Sequence, residues 1–475
     1  MMEQIKSIFE IPDLRKRILF TLGMLALYRL GSFIPTPGIN AAVFEQAFEG
    51  LASGLLGLLA MFSGGSLRRL TVFALGIMPY ITASIILQLL TVVFPHLEKL
   101  KKEGELGRRK ITQYTRYLTV GISAFQAFSI AVALQQATTA GTPLVTRPGP
   151  AFVLQTVLTL TTGAVFVMWL GEQITARGIG NGMSLLIFAG IVVGLPRAVA
   201  DLYDKVFVTR QWSFPVVLLL IVFMLLVVAF IVMVERGERR IPIQYARRIV
   251  GRKIVGGVST HLPLKVNSGG VMPIIFAVSI LTFPQTLALF RLDQSRIAAL
   301  AVLGRGLRRF GQIFAWGEPL YTVTYVILIF FFAHFYLSIV YNPDEVADNV
   351  RKQGGFIPGI RPGKRTADHL DEVLTKITWV GGAYLAVIAL IPEVMLAGVR
   401  LHHLPSWLGA GWFDAHLPTW VLTGLNINFY FGGTSLLIVV GVAMDFTNQV
   451  NAQLIMRHYE GFMKKGRLRG RRAMA

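Results

Sequence analysis

The sequence predicts an all-α polytopic membrane protein with ten transmembrane helices in two inverted five-helix halves, and three observations carry that prediction. Hydrophobic residues make up 54% of the 475 positions and charged residues 15%, with a mean hydropathy of +0.60; an ordinary soluble domain is charged at about 25% of positions. Ten apolar runs are long enough, or nearly so, to cross a hydrocarbon core, which takes roughly 20 residues of helix. The runs divide five and five about a polar stretch near 203–213, giving halves 1–205 and 206–475. If the halves share a fold, an odd number of spans per half requires the second to be inserted upside down relative to the first, an arrangement that places a functional site at the interface between halves near mid-membrane.

Taken in order, the runs fall at about 18–34, 70–94, 117–137, 151–172, 183–202, 214–234, 270–290, 319–341, 377–399 and 431–447. The first has no small-residue cleavage site and is expected to be retained as a span. Ahead of the second lies a shorter apolar piece, 51–62, that cannot cross. Ser63-Gly-Gly-Ser66 interrupts it and Arg68 and Arg69 follow before the full-length run. Irregular backbone at membrane depth is tolerated where protein or a water-filled cavity surrounds it, so the broken stretch points to a cavity or pore. A helix lying on the lipid surface is the competing reading.

An even span count puts both termini on one side. Most of the 46 Lys and Arg fall in the termini and in the loops after even-numbered spans, which places both ends in the cytoplasm. The arginines of 291–309 run against this bias locally. The net charge of +21 suits anionic lipid, acidic protein or RNA phosphate. The absence of cysteine excludes disulfides, thiolate metal sites and thiol nucleophiles.

Inside the spans ionisable groups are scarce. Arg29, Glu172, Glu235 and Asp445 lie toward span ends, and His334 is the main interior candidate, read as a packing residue. Gly363-Lys364 lacks both the Ser or Thr and the upstream Gly of a phosphate-binding loop, and no Ser, His and Asp set has a recognisable spacing. No catalytic constellation, metal site or cofactor is expected, and an ion-coupled transporter is disfavoured.

Two long basic loops remain. Glu235 to Arg248 alternates apolar and charged residues, with Arg252-Lys253 at a turn before Val258 to Lys265, a pattern for strands of a hairpin. The other, 342–376, opens on an acidic helix-like stretch, Pro343 to Asp348, then turns through Gly354-Gly-Phe-Ile-Pro-Gly-Ile-Arg-Pro-Gly-Lys-Arg365. Its Gly and Pro are expected to form tight turns that hold Arg361, Lys364 and Arg365 outward. Resting on anionic headgroups is the simpler reading of both loops.

Several stretches together resemble one family: Met61-Phe-Ser-Gly-Gly-Ser-Leu-Arg-Arg69, Phe73 to Leu90, Lys102 to Lys110 with Gln113-Tyr-Thr-Arg116, Glu172 to Gly182, Ser259 to Asn267, Gly354 to Gly363 and Met456-Arg-His-Tyr-Glu-Gly461. They resemble the SecY/Sec61-alpha family of protein-conducting channels, colinearly across all ten spans. The segments around 291–317 and 402–418 match less well.

The resemblance implies two inverted halves around a central pore. It implies a passage for unfolded secretory polypeptide, with sideways release of transmembrane segments into lipid. An apolar ring would comprise Ile77, Ile81, Met183, Ile187, Ile275 and Ile438, with Met183 where the family usually has isoleucine. A movable plug at 55–66 would include Leu55, Leu56, Leu58, Leu59, Met61 and Phe62, hinged at Gly64 and Gly65. The lateral gate would lie between the second and seventh spans, at Ile86, Gln88, Leu89, Phe276, Ser279 and Phe283, with Pro273 and Pro284 letting the seventh span bend. Arg247, Arg248, Arg252, Lys253, Arg361, Lys364 and Arg365 would contact a ribosome, including its rRNA, or the SecA motor. Implied partners are SecE and SecG, SecA, the ribosome, signal sequences and unfolded preproteins, anionic lipids, and SecDF and YidC; the implied location is the bacterial cytoplasmic membrane. A secondary transporter with inverted repeats is the alternative, and needs a polar mid-membrane site; an intramembrane enzyme would need a constellation not found here.

Overall fold

A computed structural model describes residues 11–40, 43–45, 48, 63–136, 138–139, 142–209, 213–245, 248–250, 253–255, 259–288, 304–306, 309, 311, 314, 317–396 and 433–472. The elements are α1 (Pro12–Gly31), α2 (Met78–Val93), α3 (Pro95–Lys102), α4 (Glu105–Gln136), the short strands β1 (Thr138–Thr139) and β2 (Thr142–Pro143), α5 (Pro150–Arg177), and α6 (Gly182–Tyr203) continuing into a π turn at Asp204–Val208. There follow α7 (Phe214–Arg236), β3 (Glu238–Tyr245), β4 (Arg248–Val250), β5 (Lys253–Val255), β6 (Ser259–Lys265) and α8 (Met272–Ala288). Last come α9 (Pro319–Val340), α10 (Pro343–Lys352), β7 (Gly355–Phe356), α11 (Lys364–Leu396) and α12 (Gly433–Arg472).

Among the described residues each of the ten apolar runs falls on a helix. Six stretches are long and apolar enough to cross a membrane, and the bent pair α2 and α3 makes a seventh if counted as one span. They expose the side chains that lipid would cover: on α7, Leu218, Leu219, Leu225 and Leu226 are all more than half exposed, a display that water would not tolerate.

Two boundaries correct the sequence reading. The second run does not form a helix from 70 to 94. Residues 63–77 run as turns, with Leu70 at φ 42° and Gly76 at φ 55°, left-handed conformations that end any helix, so α2 starts only at Met78. At the other end Phe94 precedes a proline, which bars it from the helical region; it adopts φ −98° and ψ 116°, and α3 leaves α2 at 99°. Nor do Lys364 and Arg365 belong to a loop. They form the first turn of α11, 33 residues that continue without interruption into the ninth run.

The chain forms two compact units, one of Met1–Asp201, Thr282–Gln312 and Ile438–Ala475, the other of Leu202–Leu281 and Ile313–Leu437. In the first, α4 packs on α5 and α2, and α1 packs on α5. Its core gathers Leu67, Leu70, Ala74, Ala127, Ala131, Leu160 and Ala164. Gly163 lets α5 touch the chain before α2, where a Cβ would lie 1.9 Å from the Val72 carbonyl oxygen. A second cluster seats Leu14 of α1 and Val450 of α12 on Ile179 in the turn between α5 and α6.

In the second unit α9 packs on α11, and the two basic loops meet in one three-stranded sheet of order β6-β3-β7. The expected hairpin is present, β3 pairing antiparallel with β6 from Glu238↔Lys265 to Gln244↔Ser259. Period-two alternation turns Ile241 and Ile243 inward and leaves Arg240 and Pro242 out. The other loop adds β7 to the free edge of β3, at Gln244↔Phe356 and Tyr245↔Gly355. Beneath the sheet Ile241, Leu264, Ile357, Leu370 and Val373 share one core with Leu337 of α9.

Candidate functional site

Of the six expected ring positions, Ile77, Ile81, Ile187, Ile275 and Ile438 are buried, while Met183 is half-buried. Ile77 caps α2 with helical dihedrals, and its carbonyl accepts from the Ile81 amide at 3.2 Å, so the two remain one turn apart although the helix starts late. Met183 lies over Gly171 of α5, where a Cβ would come within 2.4 Å of its sulfur; the flexible thioether fills a gap that glycine leaves. Ile275 belongs to the second unit and the other five to the first.

The plug positions Leu55, Leu56, Leu58, Leu59, Met61 and Phe62 lie outside the described residues. Gly64 and Gly65 are described, with φ of 64° and 80°, conformations that favour glycine. Ser63, Ser66, Leu70 and Thr71 are all at most 3% exposed. Most of the irregular backbone thus sits inside protein, with Gly65 at its exposed tip.

Among the gate positions, Ile86, Gln88 and Leu89 of α2 are half-buried. Gln88 donates from Nε2 to Ser84 at 3.2 Å, while its Oε1 is buried without a hydrogen-bond partner. Phe276 of α8 meets the rings of Phe332 and Tyr336 on α9 edge-on, at 5.7 and 6.1 Å between centroids. Ser279 donates to the Ile275 carbonyl one turn back. Phe283 lies within α8, its side chain outside the described residues.

Of the basic contact positions, Arg247 and Arg252 lie outside the described residues. Arg248 opens β4 opposite Val255, and Lys253 opens β5 opposite Val250; their side chains are not among those described. Arg361, Lys364 and Arg365 are exposed. Arg361 follows a type II turn: Pro358 and Gly359 occupy its centre, Gly359 has φ 83°, and the Ile360 amide donates to the Ile357 carbonyl at 3.1 Å. Ile357 is buried in the core under the sheet and Ile360 packs against it, so the turn is anchored from below. Arg351 and Asp348 pair on α10 at 3.5 Å beside it.

His334, the interior candidate, donates from Nδ1 to the Phe330 carbonyl at 2.9 Å and meets the Trp379 ring edge-on at 5.0 Å, the environment of a packing residue. Sequence reasoning missed Glu393, an acidic residue in the ninth run. It is 1% exposed and accepts from the Thr322 hydroxyl of α9, with Oε2 lacking a hydrogen-bond partner. Its signal was the carboxylate in Ile391-Pro-Glu393. No group of His, Asp and Glu among the described residues could hold a metal ion.

A family model described as SecY matches residues 71–447. The protein translocase subunit SecY of Escherichia coli strain K12 is 47% identical over 462 residues, covering 97% of this chain and 96% of its own length. That of Vibrio cholerae is 46% identical over 465 residues, with the same coverage. A solved structure of a protein-conducting channel superposes with a TM-score of 0.57 at 17% identity, covering 95% of this chain and 97% of that one. Sec61 in a canine ribosome-channel complex from the endoplasmic reticulum does so with a TM-score of 0.52 at 15% identity. The chain therefore belongs to the SecY family and has the fold of its protein-conducting channels.

Proposed function

We propose that this SecY-family chain is the passive conduit of a translocase in the bacterial cytoplasmic membrane, with both termini in the cytoplasm, and that partners supply the energy. The observation that carries the reading is the irregular, mostly buried stretch 63–77 delivering Ile77 and Ile81 at the very start of α2. Non-helical backbone at membrane depth belongs to cavities, and branched apolar side chains at its end suit a dry constriction that deforms around a moving chain. A solute carrier would instead present polar groups there.

In this reading 1–205 and 206–475 are the inverted halves, and Ile77, Ile81, Met183, Ile187, Ile275 and Ile438 form the ring. The segment ending at Gly64 and Gly65 seals it. Between α2 and α8 an apolar signal sequence passes into lipid, driven by roughly 25 cal/mol per Å² of apolar surface removed from water. Because Phe276 is keyed into α9 by two aromatic contacts, α8 and α9 move together when this gate opens. The exposed Arg361, Lys364 and Arg365, with the β4–β5 hairpin, receive a SecA-type motor or the ribosome, since guanidinium forks suit carboxylate and phosphate alike. SecE- and SecG-type subunits complete the complex.

The test is reconstitution of the chain with SecE-type and SecA-type partners, ATP and an unfolded preprotein. Protease-protected preprotein inside the vesicles is expected. Accumulation of a small solute with no protected preprotein would overturn the reading.

A further inference from the structure

Outside the ring and gate, the last turn of α1 places two polar side chains on the turn that precedes α2. Tyr28, 4% exposed, donates its hydroxyl to the Ser63 carbonyl at 3.2 Å. Its neighbour Arg29 donates from Nη1 to the next carbonyl, Gly64, also at 3.2 Å. The Ser63 carbonyl additionally accepts from the Ser66 amide at 3.2 Å, and the Ser63 hydroxyl from the Leu67 amide at 3.1 Å, so both its backbone and its side chain are committed.

The surroundings leave this turn little freedom. A Cβ on Gly64 would lie 3.0 Å from the Gly190 Cα of α6. Phe33 receives the Arg29 guanidinium over its ring at 4.6 Å and that of Arg69 at 5.9 Å. Arg68 pairs with Glu45 at 3.4 Å. Strand-like hydrogen bonds from Thr36 to the Leu70 carbonyl and from Val72 to the Ile34 carbonyl tie the chain after α1 to the same loop. Gly76, the residue before Ile77, packs on Ser63, with its Cβ position 3.4 Å from the Ser63 Cα.

We infer that Tyr28 and Arg29 are a positioning pair. They hold the Ser63–Gly65 turn, and through Gly76 they hold the start of α2, so that Ile77 and Ile81 stay in the sealed position. This rests on the ring reading given above. The contact is well suited to release: two side-chain bonds to consecutive carbonyls, next to two glycines in left-handed conformation, can be lost together without unfolding either helix. Inside a membrane protein each bond works against a low dielectric, so neither carbonyl stays unsatisfied in the sealed state.

The test uses the reconstituted complex in planar bilayers, reading potassium chloride conductance without preprotein. Tyr28→Phe removes one oxygen and keeps the ring stacked on Phe73, which lies parallel at 6.0 Å; Arg29→Met removes the other donor. Each is expected to raise resting conductance by roughly three- to tenfold, the shift that one ordinary hydrogen bond imposes on a two-state equilibrium. Each should also admit preproteins with defective signal sequences, at unchanged channel abundance. Ile81→Asn is the control for the ring itself. Raised conductance in Ile81→Asn but in neither Tyr28→Phe nor Arg29→Met overturns the positioning pair and leaves the ring reading standing. Unchanged conductance in all three variants overturns the ring reading and the pair with it.

Discussion

Arg116 of α4 and Glu172 of α5 stand 56 residues apart in the chain and meet at 2.8 Å. The arginine is half exposed, whereas the Glu172 side chain is only 18% exposed, so the carboxylate depends on the pair more than its partner does. Arg116→Glu would set two carboxylates together and lower the melting temperature of the detergent-solubilised protein. Because solvent screens the exposed side, the coupling should be about 1 kcal/mol. The double variant Arg116→Glu with Glu172→Arg should recover most of the loss. A double variant no more stable than the single reversal would show that the two charges do not act as a pair.

Ile438, 1% exposed on α12, tests the ring from a different helix than Ile81. An amide at this position costs roughly 1–3 kcal/mol when buried without partners and is relieved by water. Ile438→Asn should therefore wet the constriction, raising ion leak and relaxing signal-sequence requirements. Normal leak at normal abundance would remove Ile438 from the ring.

Arg361 follows the turn anchored by Ile357 and Ile360 and is free of the core. Arg361→Glu should slow motor-driven translocation at least tenfold while leaving channel abundance and thermal stability unchanged, as expected for an exposed charge that meets an acidic or phosphate partner. Gly359→Val should act on the same step indirectly. At φ 83° a β-branched residue costs roughly 1–2 kcal/mol and shifts the turn. Equal loss of abundance in Arg361→Glu would make the residue structural.

Glu393 and Thr322 tie α11 to α9. Removing one partner leaves the other buried and underbonded, so Thr322→Val should lower stability by about 1–3 kcal/mol. Combining it with Glu393→Leu should cost less than the sum of the two single changes, because neither side chain of the pair is then left without the other. A strictly additive cycle, measured by thermal unfolding, would mean that the two side chains are not coupled.

Among the described residues hydropathy put a helix at every run and set most ends closely, yet it missed several by a turn or more, for a physical reason. It detects the part of a helix that meets lipid, while backbone hydrogen bonding continues beyond it. α4 begins at Glu105, twelve residues before the apolar run, and α11 at Lys364, thirteen before. The late start of α2 was written less openly. Gly76 is visible in the sequence, but the left-handed Leu70 is a tertiary outcome of its burial and of its bonds to Thr36 and Leu67. The hairpin was legible because Ile241 and Ile243 lie two apart with Arg240 and Gln244 on either side; β7, two residues long, carries no periodicity and is created by the edge it joins. Ring and gate positions look like ordinary packing residues, and only resemblance to a family distinguishes them. The bonds from Tyr28 and Arg29 link residues 35 apart and have no local signature.

The shared sheet has a mechanical meaning. β3 follows α7 through Gly237, β6 leads into α8, and β7 lies between α10 and α11, so one small platform is the common root of helices that hydropathy treats as separate. A partner gripping either loop has a handle rather than a tether. Load placed on Arg361 is shared through the strands with the hairpin, so that in the proposed function a motor pushing polypeptide into the channel recoils against a braced mount instead of a flexible arm.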